Sequence, residues 1–270
     1  SLYYKVFNLT KSSDIDLTVL QNSPSPEGRK WYFLPETDST NAEVIRRLSS
    51  HPSEEGLVVI ADCQTGGKGR SGRVWHSAPG TGIYLSMLIQ PNFSPEQIPI
   101  FTLMAGLATA IAVNEFIPQP AQLKWPNDLL LNNKKIAGVL CEYHATKVPA
   151  VIIGIGINVN HTQFPDDIKD IATSLKLESG LETNRTTLIK QLVTQLDFQY
   201  SELKNNKIQA LIDKWTRHSD LFGKSIIISK EDQSIPGKAV RLDNLGRLVV
   251  LNESGKEIVL DSGEVRIQRK

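Results

Sequence analysis

The hydrophobic positions of the chain predict alternating strands and helices over roughly its first 219 residues. Apolar residues three and four apart, among them Ile100, Leu103 and Leu107, predict a helix that begins at Pro99. Two further helical patterns lie within 188–196 and 208–215. Short apolar runs bounded by polar residues or glycine predict strands at 31–34, 57–61, 83–89, 123–125, 129–131, 136–140 and 151–159. This alternation indicates an α/β body.

The pattern changes near residue 220, where only short strands separated by turns are predicted. These strands lie at 225–229, 238–242, 248–251, 257–260 and 265–268. A small β-barrel-like domain is the expected result. We therefore divide the chain into a main domain at 1–219, which includes a variable N-terminal extension at 1–30, and a small β domain at 220–270.

The start of one helix is marked by the segment Thr40-Asn41-Ala42-Glu43, which has the spacing of a capping box. Val44, Ile45 and Leu48 give the following helix an apolar side. The expectation is that the Thr40 hydroxyl caps this helix.

Composition narrows the functional classes. The chain has 270 residues and a formal net charge of +1, which provides no general attraction for nucleic acid or anionic membranes. We find no apolar run of membrane-spanning length and no signal-peptide layout, so we expect a cytoplasmic protein without a membrane partner. Two cysteines, Cys63 and Cys141, cannot form a four-ligand metal site alone, and we expect them to be ordinary core residues.

The segment GGKGRSGRVW at 66–75 is the clearest candidate for chemistry. Its four glycines allow sharp turns that point backbone N–H groups inward, and Lys68, Arg70 and Arg73 add positive charge. Phosphate or another anion is the expected ligand, although a solvated connecting loop has the same composition. The letters also fit G-x-G-x-x-G and its kinase extension. Strands on both sides exclude a Rossmann site, and the chain has no H-R-D or D-F-G triplet.

Several other motifs accompany this loop in a fixed order. They are Asp38-Ser39-Thr40-Asn41, Gln64-Thr65, Lys124-Trp125-Pro126-Asn127-Asp128, Lys134-Lys135-Ile136-Ala137-Gly138-Val139-Leu140 and Gly154-Ile155-Gly156-Ile157-Asn158. Together they resemble the signature of biotin protein ligases. The resemblance covers roughly residues 31–270, and its specific motifs lie between 38 and 158.

This resemblance implies a mixed β-sheet catalytic domain flanked by helices, with a small C-terminal SH3-like β-barrel. It also implies a reaction in two halves. The carboxylate of biotin attacks MgATP to give biotinyl-5′-AMP and pyrophosphate, and a lysine of a biotin carboxyl carrier protein then displaces AMP. Since a carboxylate is already ionised near neutral pH, the first half needs alignment and charge neutralisation rather than a general base.

The resemblance also implies roles for individual residues. The catalytic residues would be Lys135, Arg70 and Asp128, with Asp128 helping to place Mg²⁺ or orient the catalytic lysine. Biotin would contact Ser39, Thr40, Asn41, Gln64, Lys68, Gly69, Arg70, Lys135, Gly138, Leu140 and Gly154. ATP would contact Gly67, Lys68, Arg70, Arg73, Trp75, Lys124, Asn127 and Asn158. Lys68 departs from the arginine common in the family, and lysine lacks the planar fork for a bidentate contact.

Other interpretations remain open at this point. Trp75 could equally be a core residue, and Asn127-Asp128 alone could be a simple turn. A lipoate ligase shares the adenylation chemistry, and a non-catalytic nucleotide- or nucleic-acid-binding module could use the cationic loop. Too little sequence precedes residue 31 for a helix-turn-helix domain, so we expect no DNA partner and no repressor function. An exposed strand offers a route to a homodimer.

Overall fold

The computed structural model describes residues 13–24, 29–50, 55–92, 94–145, 148–230 and 233–268. The predicted N-terminal extension therefore lies partly outside the described residues. The helices are α1 Leu17–Gln21, α2 Thr40–Ser50, α3 Ile98–Asn114, α4 Leu175–Ser179, α5 Arg185–Lys204 and α6 Ile208–Arg217. The strands are β1 Trp31–Thr37, β2 Val58–Gln64, β3 Gly82–Ile89, β4 Gln122–Lys124, β5 Asp128–Leu131, β6 Lys134–His144, β7 Ala150–Asn158, β8 Ser225–Lys230, β9 Gln233–Leu242, β10 Leu248–Leu251, β11 Glu257–Leu260 and β12 Glu264–Ile267.

Every predicted strand and helix is present, with bounds shifted by a few residues. Two helices, α1 and α4, were not predicted. Each has only five residues, which is too short for apolar residues to recur at helical spacing. The long, strongly patterned helices were therefore found and the two short helices were not.

The first seven strands form one mixed sheet in the order β1-β2-β3-β7-β6-β5-β4. The β1–β2 pair is parallel, and the other neighbouring strands run antiparallel. The expected mixed α/β fold is thus confirmed.

The two faces of this sheet carry different partners, because successive side chains of a strand point to opposite sides. On one face, Leu85 of β3 and Ile155 of β7 belong to the large core that includes α3 and α5. On the other face, Leu88 packs with Val44 and Leu48 of α2. Residues two positions apart in β3, β6 and β7 therefore reach the α2 side together.

Helix α3 forms the centre of the large core, where Phe101, Leu103, Met104, Leu107 and Ala108 are fully buried. We expected no apolar run of membrane-spanning length, and this was wrong. The helical stretch Pro95–Asn114 has 20 residues and is apolar enough, by length and composition alone, to cross a membrane. Its burial between the sheet and α5 explains the same composition by core packing.

The last five strands form a separate antiparallel sheet in the order β11-β10-β9-β8-β12, which confirms the small C-terminal β domain. Its β9–β10 turn packs on the main body. The indole Nε1 of Trp125 donates to the Gly246 carbonyl at 3.1 Å, and Gly246 lies against Pro99 and Ile100 at the start of α3. The proposed boundary at residues 219 and 220 stays a prediction.

The predicted capping box at the start of α2 is wrong. Thr40 is the first residue of the helix, and its hydroxyl lies 2.7 Å from Ser86 Oγ and 3.1 Å from Gln64 Oε1. Asp38 accepts from the Ser39 N–H at 2.8 Å, while Glu43 pairs with arginines of its own helix. The Thr40 side chain is turned toward a cavity instead of the helix end.

Candidate active site

A cavity on the α2 face of the sheet brings most of the sequence-predicted residues together. It lies between the start of α2, the 66–75 loop and the middle of β6 and β7. Its lining comprises Ser39, Thr40, Asn41, Gln64, Lys68, Gly69, Arg70, Trp75, Asn127, Lys135, Gly138, Val139, Leu140, Gly154, Ile155 and Gly156.

Glycines give this cavity its floor. Gly138 of β6 pairs with Gly156 of β7, and Leu140 pairs with Gly154. A Cβ at Gly154 would overlap the Asn41 side chain, and one at Gly156 would overlap the Trp75 ring. Glycine is required here because other side chains come within contact of the strand backbone.

A β-bulge decides which face of β6 carries Lys135. Asp128 pairs with Gly138, but beyond Leu129 the register shifts so that Leu130 pairs with Lys135. In a regular strand, Lys135 and Gly138 would point to opposite faces because they are three residues apart. The extra residue in the bulge returns the lysine to the cavity side.

Lys135 is held there by a carboxylate and an aromatic ring. Its Nζ lies 2.6 Å from Asp128 Oδ1 and 5.2 Å from the centre of the Trp75 ring. These two contacts direct the ammonium group, which is available to an anion that enters the cavity.

Arg70 supplies a second cation. Its Nη1 donates to Asn127 Oδ1 at 3.3 Å, and Asn127 Nδ2 donates to the Val139 carbonyl at 2.9 Å. Burial lowers the pKa of the Arg70 guanidinium, an effect that the nearby Asp128 carboxylate opposes. An arginine remains ionised at neutral pH despite such a decrease, so a partly desolvated positive charge faces the cavity.

The loop that carries Arg70 is a tight hairpin. Lys68 bridges to Val74, and the Gly69 N–H donates to the Arg73 carbonyl at 2.7 Å. Ser71 has φ 55° and Gly72 has φ 73°, which places both residues of the turn in the left-handed region. Glycine adopts this conformation without cost, and it lets the loop fold back over the cavity.

The polar wall of the cavity begins at α2. Asp38 fixes the entry to the helix, and its interaction with Arg46 holds the pKa of the Asp38 carboxyl well below its ordinary value. Ser39, Thr40 and Asn41 follow and are each less than a tenth exposed. Buried polar groups of this kind need partners from the protein or from a ligand.

Little free space remains in the cavity. Its volume is about 50 Å³, compared with roughly 300–1,000 Å³ for typical small-molecule sites. The Trp75 ring lies over Gly156 and touches the space above Gly138. The Trp75 ring therefore occupies space that a ligand of vitamin size would need.

Five of the predicted site residues lie outside the lining. Arg73 is mostly exposed and pairs with Glu264 of β12 at 2.6 Å. Asn158 is buried and donates to the Thr173 carbonyl at 3.0 Å.

The other three residues outside the lining lie close to residues that line the cavity or to each other. Gly67 lies beneath the Trp75 carbonyl, while Lys124 pairs in register with Asp128 at the far edge of the sheet. Asp128 reaches the cavity through its contact with Lys135.

Two residues that the sequence interpretation missed lie behind the cavity wall and contact Asn41. Ser86 of β3 is fully buried and lies 2.5 Å from Asn41 Oδ1. Glu142 of β6 accepts from Asn41 Nδ2 at 2.5 Å. A signal for Ser86 was available, since it is the single small polar residue within the apolar strand 83–89.

A larger open groove of about 690 Å³ lies elsewhere, between α6 and the β9–β10 turn. None of the predicted site residues lines it. Two of its charged residues, Arg247 and Asp243, pair with each other at 2.7 Å. The groove therefore offers less uncompensated charge than the cavity beside Lys135 and Arg70.

The described residues contain no group of three or more His, Cys, Asp or Glu side chains arranged to hold a metal ion. Asp128 is the carboxylate that contacts Lys135 beside the cavity. A magnesium ion that arrives on nucleotide phosphates needs only one or two protein carboxylates. The residues present fit that mode of binding rather than a dedicated metal site.

The chain is similar to several known proteins. Residues 33–160 match the profile of the biotin/lipoate A/B protein ligase family. The bifunctional ligase/repressor BirA of Bacillus subtilis is 34% identical over 225 residues, which cover 82% of this chain and 69% of that protein. A biotin–acetyl-CoA-carboxylase ligase of Mycobacterium tuberculosis is 33% identical over 88% of each chain. The Aquifex aeolicus biotin protein ligase, solved with biotin and ATP, superposes with a TM-score of 0.76 at 34% identity, covering 89% of this chain and 99% of that one.

Proposed function

The chain belongs to the family of biotin protein ligases, and from this premise we propose that it activates biotin with ATP and transfers it to a lysine of a carrier protein. The first half forms biotinyl-5′-AMP and releases pyrophosphate. In the second half, the carrier lysine attacks the acyl carbon of the mixed anhydride and AMP leaves.

One observation carries this proposal: Arg70 and Lys135, 65 positions apart in sequence, line the same cavity as Ser39, Thr40 and Asn41. The cations suit a carboxylate and a phosphate. The neutral polar groups and the glycine floor suit an uncharged ring that lies flat against a sheet. A single cavity thus offers one end for the vitamin ring and another for the reacting groups.

In the first half of the reaction, the side chains act mainly by position and charge. Lys135 and Arg70 would hold the biotin carboxylate and the α-phosphate close together and offset the negative charge that accumulates on phosphorus oxygens. Asp128 would keep the Lys135 ammonium directed. Neither half requires Arg70 or Lys135 to lose a proton.

The 66–75 loop would then protect the product. Its hairpin places Arg70 over the cavity and Trp75 against the glycine floor. Exclusion of water is important because the mixed anhydride hydrolyses readily. We expect Trp75 to move with the loop when ligands enter and to pack against adenine afterwards.

We propose that magnesium enters the site bound to ATP. Asp128 would contribute a carboxylate oxygen to it, and the ion would neutralise charge on the triphosphate. Gly67, Lys68, Arg73, Lys124, Asn127 and Asn158 remain candidates for contact with the nucleotide. Of these, Lys68 and Asn127 already line the cavity.

The protein partner in this proposal is a biotin carboxyl carrier protein of the acetyl-CoA carboxylase type. We place the reaction in the cytoplasm, where two free cysteines such as Cys63 and Cys141 are stable as thiols. The small C-terminal β domain would assist closure of the nucleotide site or docking of the carrier. A homodimer and the absence of DNA binding stay predictions.

Pyrophosphate exchange with ATP, measured separately with biotin and with lipoic acid, tests the proposal directly. We expect exchange with biotin alone, followed by transfer to a purified biotin carboxyl carrier domain. Exchange with lipoic acid alone would replace biotin by lipoate as the substrate. No exchange with either acid would reject a ligase activity.

A further inference from the structure

A continuous chain of hydrogen bonds runs along the polar wall of the cavity and ends at Glu142. Both of its ends are acceptors without a proton, the Trp75 carbonyl and the Glu142 carboxylate. Between them lie Ser77, Gln64, Thr40, Ser86 and Asn41. The two acceptor ends fix the donor at every link except those of Thr40, whose single hydroxyl proton can go to Ser86 Oγ or to Gln64 Oε1.

The Glu142 end fixes the orientation of Asn41. The Asn41 Nδ2 donates to Glu142 Oε2 at 2.5 Å, and a carboxylate offers no proton in return. Asn41 Oδ1 must then face Ser86 Oγ, which lies 2.5 Å away. The amide oxygen can only accept, so the single hydroxyl proton of Ser86 is donated to Asn41.

The use of the Ser86 proton in this bond limits the hydrogen bond between Ser86 and Thr40. Ser86 Oγ lies 2.7 Å from Thr40 Oγ1, and with its own proton used it can only accept there. At 2.7 Å, against 3.1 Å for Gln64 Oε1, Ser86 Oγ is the nearer acceptor for the Thr40 hydroxyl proton. Gln64 Oε1 accepts the Thr40 backbone N–H at 2.8 Å. The 3.1 Å approach of Thr40 Oγ1 to Gln64 Oε1 then holds no proton, so both oxygens keep lone pairs for a ligand.

The other end of the chain agrees with this direction. Ser77 Oγ donates to the Trp75 carbonyl at 3.2 Å, and Gln64 Nε2 donates to Ser77 Oγ at 3.0 Å. Gln64 is thereby held with its oxygen toward Thr40. Both ends of the chain are therefore compatible with donation from Thr40 to Ser86.

We propose that Glu142 is a positioning residue that sets the direction of this chain, so that Thr40 and Gln64 present hydrogen-bond acceptors to the N–H groups of the bound ring. In this direction Thr40 Oγ1 keeps two lone pairs and Gln64 Oε1 keeps one. In the reverse direction, Ser86 would donate to Thr40 and Thr40 would donate to Gln64. Thr40 Oγ1 would then keep one free lone pair and Gln64 Oε1 none. Glu142 itself does not line the cavity and acts through Asn41 and Ser86.

The inference rests on the proposed function, because the ureido ring of biotin carries N–H donors and the dithiolane ring of lipoate carries none. We call the two acceptor oxygens, Thr40 Oγ1 and Gln64 Oε1, the acceptor wall. This wall can accept from the ureido N–H groups of biotin, whereas its oxygens would stay unpaired beside the dithiolane ring of lipoate. Unpaired buried polar groups are strongly unfavourable, which makes such a wall a source of specificity.

The test compares the affinity for biotin of the wild-type enzyme, Glu142→Gln and the control Glu253→Gln, which alters an exposed glutamate in the β10–β11 turn of the small β domain. The amide of Glu142→Gln has the size of glutamate but can donate as well as accept, so Asn41 is free to turn. We expect the Kd for biotin to rise about tenfold, the scale of one lost hydrogen bond. The control should keep the wild-type Kd.

A double-mutant cycle distinguishes an effect of Glu142 on the direction of the hydrogen bonds from simple structural support by its side chain. Ser86→Ala should weaken biotin binding by itself, because the Thr40 proton then turns to Gln64. Adding Glu142→Gln should change the Kd by no more than about twofold, since the link that transmits its effect is gone. Fully additive effects would overturn the inference, because a merely structural glutamate acts independently of Ser86.

Two further outcomes are decisive. A wild-type Kd in Glu142→Gln would overturn the role of Glu142 and leave the ligase function intact. Failure of the wild-type protein to bind biotin would overturn the ligase function and this inference with it. Should Glu142→Gln not fold, Ser86→Ala decides alone, and an unchanged Kd in that variant contradicts the acceptor wall.

Discussion

The ammonium nitrogen of Lys135 lies 2.6 Å from the Asp128 carboxylate, across the bulged β5–β6 pair. Both side chains keep between a fifth and a third of their surface exposed, so solvent screens the pair and little stability comes from it. Its main effect is directional. The carboxylate fixes where the ammonium group points, and the ammonium is the cation closest to the glycine floor.

Lys135→Ala should reduce formation of the adenylate by more than about a hundredfold, because a cation aimed at the reacting carboxylate and phosphate is lost. The melting temperature should change little, since about a third of the side chain is exposed and solvent screens its ion pair. Pyrophosphate exchange in the presence of biotin measures the first effect. Lys134→Ala, one residue earlier on the same strand, is the matched control and should stay active. Near-normal exchange by Lys135→Ala would reject the assignment.

Arg70→Gly should release biotinyl-5′-AMP faster than the wild-type enzyme. The substitution removes the contact to Asn127 and the positive charge that the hairpin holds over the cavity. We expect the rate of release to rise by about tenfold or more, in line with the loss of a hydrogen bond to a charged group. Release of radiolabelled adenylate from preloaded enzyme measures it. An unchanged rate would contradict the covering role of the loop.

Gly154→Ala should weaken biotin binding by about tenfold or more. The added Cβ would overlap the Asn41 side chain, and overpacking of this kind typically costs about 1–3 kcal/mol. Titration calorimetry with biotin measures the effect. Gly106→Ala in α3 is the control, because its Cβ would meet Leu123 at an ordinary contact distance of 3.4 Å. Equal affinities in the two variants would show that Gly154 does not shape the site.

Much of the site could be predicted from sequence because its motifs are local. Ser39, Thr40 and Asn41 occupy consecutive positions at a helix start, and Lys68 and Arg70 share one loop. The α/β body followed from the alternation of strands and helices, the mixed sheet from the resemblance to biotin protein ligases, and the small β domain from the change in spacing after residue 220.

What the sequence did not reveal depends on contacts between distant strands. The bulge that turns Lys135 toward the cavity requires knowledge of the β5–β6 register, and apolar periodicity does not specify it. Glu142 and Ser86 acquire importance only because β6 and β3 both flank β7. Thr40 was assigned to a helix cap because local spacing suggested it, whereas its hydroxyl is engaged by residues 24 and 46 positions away.

We predict that the buried His161 makes the protein less stable in mild acid. Burial lowers its pKa from 6.5 to about 4, with smaller contributions from His76 and Arg185. Between these two values the unfolded chain binds a proton that the folded chain does not. The free energy of unfolding therefore falls as the pH drops from about 6.5 to about 4, and the full contribution is present above 6.5. The difference between the two pKa values corresponds to about 3 kcal/mol.

Urea unfolding at several pH values between 7 and 4 measures this dependence. His161→Gln lacks the titrating group, so its free energy of unfolding should fall less steeply than that of the wild type over this window. His144→Gln, at the end of β6, is the control and should follow the wild-type curve. Parallel curves for His161→Gln and the wild type would mean that acid destabilises the fold through other groups, because the slope reports only protons bound unequally by the two states.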